Sequence, residues 1–144
     1  MLVQPYLFFD GRCEEALEFY RGAVGAEILM LMHFKDNPDK NNSEMCGGME
    51  GAPPPDDKVM HASFRIGETT VMASDGFSKG NPVFEGFSLS LSVSTDAEAE
   101  RLFGALSADG KVEMPLVTTF YATRFGMLVD RFGVSWMIIN PIPQ

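Results

Sequence analysis

The segment VMHASFRI, residues 59–66, carries His61, Ser63 and Arg65 at every second position. A period of two puts all three on one face of a strand, opposite Met60, Ala62, Phe64 and Ile66. That polar face combines an imidazole suited to moving protons near neutral pH, a hydroxyl, and a guanidinium able to grip a carboxylate or phosphate through paired hydrogen bonds. The same pattern also describes a plain strand, with a histidine bonded for structural reasons and an arginine at the strand end. Asp75 closes an apolar run, MASD, and reads either as a pocket carboxylate or as the residue that starts the turn into Gly76, bonding to nearby backbone. Cys46 precedes Gly47-Gly48 in an acidic loop. A nucleophilic thiol needs a neighbouring base or a helix N-terminus, and that loop supplies neither.

The elements that must position these groups follow from periodicity. YLFFD (6–10) is a strand ending at Asp10-Gly11. In CEEALEFYRGAVG (13–25), Ala16, Leu17, Phe19, Tyr20, Ala23 and Val24 recur at helical spacing, with Glu14, Glu15, Glu18 and Arg21 outside and Gly25 as the stop. A strand over 27–34 follows. Residues 36–57 break the pattern with Pro, Gly, Asn and Asp and predict a long loop, either a surface loop or a lid using Met45 and Met49. Strands 59–66 and 69–75 form a hairpin turned at Gly67-Glu68. After the linker 76–86, FSLSLSV (87–93) alternates cleanly, TDAEAERLFGALSADG (95–110) is a helix capped by Thr95 or Asp96 and ended by Gly110, and three strands lie around 111–116, 124–130 and 135–139. The order is strand, helix, three strands, twice over. It predicts one domain, 1–144, of α+β class, made of duplicated βαβββ modules over 1–75 and 86–144.

Composition fits this reading and excludes several partners. The chain has 144 residues, 45% hydrophobic, enough for a core. A net charge of −9 argues against nucleic acid and against anionic membrane surfaces. No apolar run is long enough to span a bilayer, and MLVQPYLFF lacks a secretory pattern, so a cytoplasmic protein is expected. Two cysteines, Cys13 and Cys46, make no disulfide framework.

Phe19-Tyr20 with the turn GAE (25–27), HASFRIG (61–67), MASD (72–75) and DRFGVSWMI (130–138) resemble segments of the vicinal oxygen chelate superfamily, the glyoxalase and bleomycin-resistance proteins. VMHASFRIG, GKVEMP and FGMLVDRFGVSWMI resemble the PhnB-like subgroup, which carries the label 3-demethylubiquinone-9 3-methyltransferase-like. The resemblance covers the whole chain. It implies that each module is a curved half-barrel, with its helix on the convex side and a pocket on the concave side. Leu89, Leu91 and Val93 would then pack under the helix, while Ser88 and Ser90 would line the pocket. Trp136 would pack on the helix side, with Met137 as apolar lining. Glu113 and Tyr121 lie in subgroup-like segments and become candidate ligand contacts.

Metal-dependent members of the superfamily carry His and Glu ligands on four strands. The resemblance lays those positions on Pro5, on Met72 or Ala73, on Ser88 and on Met137. None is an ordinary ligand for zinc, nickel, iron or magnesium, so neither a metal nor another cofactor is expected. A calcium-like oxygen run at 36–44 lacks the glycine a calcium loop needs at its sixth position. Methyl transfer is not expected either, because the glycines of CGGMEG (46–51) lack the strand-to-helix setting that holds a nucleotide-like donor. Two functions remain. One is binding of a small organic molecule in the concave pocket, through His61, Ser63, Arg65, Asp75, Ser88, Ser90, Glu113, Tyr121 and Met137. The other is an enzyme, metal-free or with an atypical site, in which His61 moves a proton on a small carbonyl or phosphonate-like substrate. A homodimer is expected from the superfamily's habit and from sheet edges that need covering.

Overall fold

The computed structural model describes residues 1–36, 56–76 and 82–143. Cys46, Met45, Met49, the glycines of 46–51 and nearly all of the 36–44 oxygen run lie outside the described residues. The chain divides into two compact units, Met1–Pro82 and Val83–Gln144.

The first unit contains β1 (Tyr6–Phe8), α1 (Cys13–Val24), β2 (Glu27–His33), a short 3-10 turn (Phe34–Asp36), β3 (Val59–Ile66) and β4 (Thr69–Ser74). Its sheet runs β1-β4-β3-β2, with β1 parallel to β4 and the other pairs antiparallel. The second contains β5 (Leu89–Ser92), α2 (Asp96–Ser107), β6 (Lys111–Val117), β7 (Ala122–Val129) and β8 (Ser135–Pro141), in the order β5-β8-β7-β6 with the same directions. Each unit is thus one βαβββ module.

In each unit one sheet face is sealed. Leu7, Ala62, Phe64, Val71 and Ala73 are buried together with Cys13, Ala16, Leu17, Tyr20 and Ala23 of α1, and the Tyr20 ring stacks on Phe64 at 5.9 Å. Burying one such large side chain contributes roughly 1.5–3 kcal/mol. Gly25, at φ 70°, takes the left-handed turn that ends α1, and its N–H donates to the Tyr20 carbonyl. In the second unit Thr95 caps α2, its Oγ1 accepting from Glu98 N at 3.1 Å, and Ala99, Leu102, Phe103 and Leu106 are buried. The sheet opposes them with Leu128, Trp136 and Ile138. A side chain at Gly126 of β7 would run into the Phe103 ring, so α2 approaches the sheet closely because that position is bare.

Most element ends fall within a residue or two of the expected ones, and three of the shifts have a plain local reason. β5 covers only Leu89–Ser92 of 87–93; Leu89, Leu91 and Val93 are half-buried and Phe87 is 44% exposed. As an edge strand β5 packs from one side, and the deep positions fall to its neighbour β8. Helix α2 stops at Ser107, and the Asp109-Gly110 turn follows, with Asp109 at φ 60°. β7 begins at Ala122 and ends at Val129, because the Asp130 side chain organises the next turn. Asp130 Oδ1 accepts from Phe132 N and Val134 N at 2.8 and 3.0 Å, and Oδ2 accepts from Trp136 Nε1 at 2.8 Å.

Candidate functional site

Each sheet's second face lies opposite its helix. In the first unit, Tyr6 registers with Met72, Met72 with Ser63 and Ser63 with Met30. One row across four strands is therefore Tyr6–Met72–Ser63–Met30. Phe8, His61 and Met32 share this face by alternation. Tyr6 and Phe8 are 36% and 56% exposed, with ring centroids 4.9 Å apart. The Tyr6 hydroxyl and His61 Nδ1 are hydrogen-bonded at 3.1 Å, and their rings lie 5.6 Å apart. His61 and Ser63 thus share a face with two aromatic rings and three methionines. Tyr6 was absent from the sequence-level candidates. The signal was available: Tyr6 and Phe8 alternate with Leu7 and Phe9, which leaves an aromatic pair on the face away from the helix.

Arg65 lies on the same strand but is ion-paired with Glu27 of β2, its register partner. Asp75 lies elsewhere. It is 1% exposed, and its carboxylate accepts three backbone N–H bonds: Oδ1 from Gly11 N and Cys13 N at 2.9 and 2.7 Å, Oδ2 from Val59 N at 2.7 Å. It fastens the β1–α1 turn, the start of α1 and the start of β3. Burial pushes the Cys13 thiol well up from its ordinary value, and the charges of Asp75 and Glu14 add to that. His33 also joins elements, its Nε2 lying 2.6 Å from Glu14 of α1.

In the second unit the corresponding row is Ser90–Met137–Met127–Met114. Ser88 shares its face, and its Oγ lies 2.6 Å from Ser135 Oγ. Ser88, Ser90 and Met137 are therefore brought to one face, and Trp136 turns to the helix side. Glu113 is exposed in the β6 bulge between Val112 and Met114, 3.8 Å from Lys111 Nζ. Tyr121 precedes β7, half-buried, with edge contacts to Phe120 at 4.9 Å and Phe125 at 5.7 Å.

A pocket of about 470 Å³ opens at the end of β8, lined by Val93, Ser94, Thr123, Asn140, Pro141, Ile142 and Pro143. No sequence-level candidate lines it. Beside it, Thr123 Oγ1 and Asn140 Nδ2 donate to Asp96 Oδ1 at 2.6 and 2.9 Å. These bonds hold the Asp96 carboxyl below the usual range, with a further contribution from Arg124.

The residues that the resemblance lays on the superfamily's metal positions fall in both ladders. Met72 and Met137 occupy equivalent places, since Tyr6 pairs with Met72 as Ser90 pairs with Met137. Ala73 is buried on the helix side. By the same register the counterpart of Ser88 is Gln4, not Pro5. Among the described residues no three His, Cys, Asp or Glu side chains come together as a metal site. Thioethers and hydroxyls do not fit the harder divalent metals.

This arrangement of two βαβββ modules is the glyoxalase/bleomycin-resistance fold. A glyoxalase/bleomycin resistance protein/dioxygenase domain from Frankia sp. matches 99% of this chain and 92% of its own at a TM-score of 0.64 and 13% identity, a likeness of fold alone. The chain belongs to the PhnB-like family whose model is described as 3-demethylubiquinone-9 3-methyltransferase, which matches residues 2–139. It is 38% identical to Protein YjdN of Escherichia coli over 147 residues, covering 100% of this chain and 97% of that one. The crystal structure of protein PA1353 from Pseudomonas aeruginosa matches 97% of both chains at a TM-score of 0.81 and 39% identity. A PhnB protein from Bacillus cereus, described as a putative 3-demethylubiquinone-9 3-methyltransferase, matches 97% of this chain and 99% of its own at 0.77 and 27%.

Proposed function

We propose that this protein binds a small planar organic molecule carrying an oxygen acceptor, on the first unit's sheet face around Tyr6, Phe8 and His61. The observation that carries this reading is the hydrogen bond between Tyr6 and His61 Nδ1, set among exposed aromatic rings and methionines. A phenol is the natural donor and a neutral imidazole nitrogen the natural acceptor. With Nδ1 accepting, the imidazole proton sits on Nε2 and is offered to a ligand oxygen. The rings give a stacking surface, and Met30, Met32 and Met72 adapt to the ligand's outline. Ser63 adds a hydroxyl. Ser88, Ser90 and Met137 line the corresponding face of the second unit, and Arg65, Asp75, Glu113 and Tyr121 are peripheral or structural in this reading. The reading takes the chain as a single cytoplasmic domain of two modules, a homodimer that holds this ligand with no metal or cofactor at the Tyr6–His61 face.

Methyl transfer, which the family description names, is not part of this reading. The strand-to-helix turns are Asp10-Gly11-Arg12 in one module and Val93-Ser94-Thr95 in the other. Neither is a glycine-rich cradle for a nucleotide-like donor. The alternative enzyme reading has the same hydrogen bond in its favour, since a tyrosine-oriented imidazole is also an acid–base group.

A panel of aromatic carboxylates, phenols and cyclic ketones, screened for a rise in melting temperature, supplies the probes. For any hit, His61→Ala and Phe8→Ala should each weaken affinity about tenfold, the loss of about 1.4 kcal/mol expected for one hydrogen bond or one ring contact. Unchanged affinity in both variants would overturn the reading. Turnover of a hit, abolished in His61→Ala with the fold intact, would favour the enzyme.

A further inference from the structure

The second unit's row Ser90–Met137–Met127–Met114 places three thioethers on three adjacent strands, on one face. We propose that Met114, Met127 and Met137 form a site for one soft monovalent cation, Cu(I) in the cell.

The geometry comes from the ladder. Met127 opposes Met114 on one side and Met137 on the other. Directly opposed residues have Cβ atoms about 4.5–5.5 Å apart, so the outer two methionines flank the central one symmetrically. Each sulfur stands two bonds beyond its Cβ on a freely rotating arm. Those arms let the outer sulfurs swing toward the central one and meet a single ion. Met127 and Met137 are half-buried and Met114 is 39% exposed, so an ion has an entry path and a partly dry seat. The bulges on either side of Met114 turn Glu113 and Pro115 out of the regular ladder and leave Met114 in register.

The donor set selects the ion. Thioether sulfur is neutral and soft; it favours Cu(I) and is a poor ligand for magnesium, calcium or zinc. Most other side chains on this face are hydroxyls or hydrocarbons; the exception is Lys111, which registers with Val129 and lies 3.8 Å from Glu113. Among the described residues no three His, Cys, Asp or Glu side chains come together to hold a harder metal. The first unit serves as an internal control. Its equivalent row holds Met72 and Met30, but Ser63 stands where Met127 does, so the central thioether is missing. The site is therefore assigned to the second unit alone, and it is independent of the ligand reading for Tyr6 and His61.

The test uses the full chain carrying Cys46→Ser, to remove a competing thiol, with methionine methyl groups labelled with carbon-13. Silver(I) serves as the redox-stable probe, and Cu(I) under reducing conditions as the confirming ion. The expected result is that the methyl signals of Met114, Met127 and Met137 shift together and saturate at one ion per chain. Met127→Leu, nearly the same size, should weaken binding about tenfold or more, since losing a ligand costs at least what losing a ligand's support does. Three results would each overturn the proposal: no shift, shifts led by Met30, Met32 or Met72, or unchanged affinity in a folded Met127→Leu. Circular dichroism of that variant establishes whether it is folded; if it is not, Met137→Leu takes its place with the same expectation.

Discussion

Replacing Asp75 tests whether a buried carboxylate here serves architecture or ligand. Its two oxygens accept from Gly11 N, Cys13 N and Val59 N at 2.9, 2.7 and 2.7 Å, at 1% exposure. Asp75→Ala strands three backbone donors. Each buried, unsatisfied donor costs about 1–3 kcal/mol, and water entering the vacated space recovers part of that, so a loss of about 4 kcal/mol is expected. Asp75→Asn keeps an acceptor for Gly11 and Cys13 if the amide oxygen takes the Oδ1 position. Its NH2 group then faces the Val59 N–H, donor against donor, and about 2 kcal/mol is lost. Urea unfolding followed by circular dichroism gives both values, and the ranking Ala worse than Asn is the sharper expectation. Amide exchange should show protection falling first at Gly11, Cys13 and Val59. An Asn variant within about 0.5 kcal/mol of the parent, the range of neutral surface changes, would refute the structural role. So would full stability with lost ligand affinity.

Further expectations follow from other sites. Asp96 titrates below the ordinary carboxylate range in the folded chain, so its contribution is present above the unfolded value of about 3.9 and is lost as pH falls through the depressed folded one. In Thr123→Val, nuclear magnetic resonance titration should find the Asp96 midpoint moved up; an unmoved midpoint rules out the Thr123 bond as its main cause. The Cys13 thiol is pushed upward, so its contribution is intact below the unfolded thiol value of about 8.5 and is lost as pH rises beyond it. In a Cys46→Ser background a disulfide reagent should react with Cys13 only at the rate of unfolding, and prompt labelling in native buffer would contradict its burial. At Gly110 a methyl group would overlap the Val129 carbonyl oxygen and lie 3.0 Å from the Asp130 carbonyl carbon. Backbone cannot give way as a side-chain tip does, so Gly110→Ala should cost about 1–3 kcal/mol in thermal melts, and a neutral result would refute that close approach.

The helix faces were legible in the sequence because burial imposes a period that polar residues cannot break. Ala16, Leu17, Tyr20 and Ala23 could be read directly, as could the turn of Trp136 away from Met137. The order strand, helix, three strands, met twice along the chain, led to the repeat. The edge strand β5 read as longer than it is, since FSLSLSV alternates just as well where it is unpaired as where it is paired. Asp75 stayed ambiguous because its partners Gly11, Cys13 and Val59 are distant in sequence; no local pattern announces a carboxylate that gathers three separate segments. For Tyr6 the face was legible from its alternation with Leu7, but its bond to His61, 55 positions away, was not. The pocket at the end of β8 depends on where Val93, Thr123 and Ile142 meet, which is a property of the ladder rather than of any one segment.

Laying the two ladders on one another separates what the fold requires from what each module adds. On the helix side the equivalent pairs are Leu7 with Leu91, Ala73 with Ile138, Ala62 with Gly126, Phe64 with Leu128 and Val71 with Trp136. All are apolar or bare: Ala62 beside Ala73 becomes Gly126 beside Ile138, and Phe64 beside Val71 becomes Leu128 beside Trp136. In each pair one side chain shrinks while its neighbour grows by more, so the helix side keeps its apolar character while each unit packs its own shapes. On the other face Tyr6 corresponds to Ser90, Phe8 to Ser92, His61 to Phe125 and Ser63 to Met127, and chemistry changes at each place. Met72 with Met137 and Met30 with Met114 are the pairs that keep their identity. Packing explains the constraint on the helix side but places no such demand on the opposite face. A divergence concentrated there points to two faces with different tasks, an aromatic and imidazole surface in the first module and a thioether and hydroxyl surface in the second.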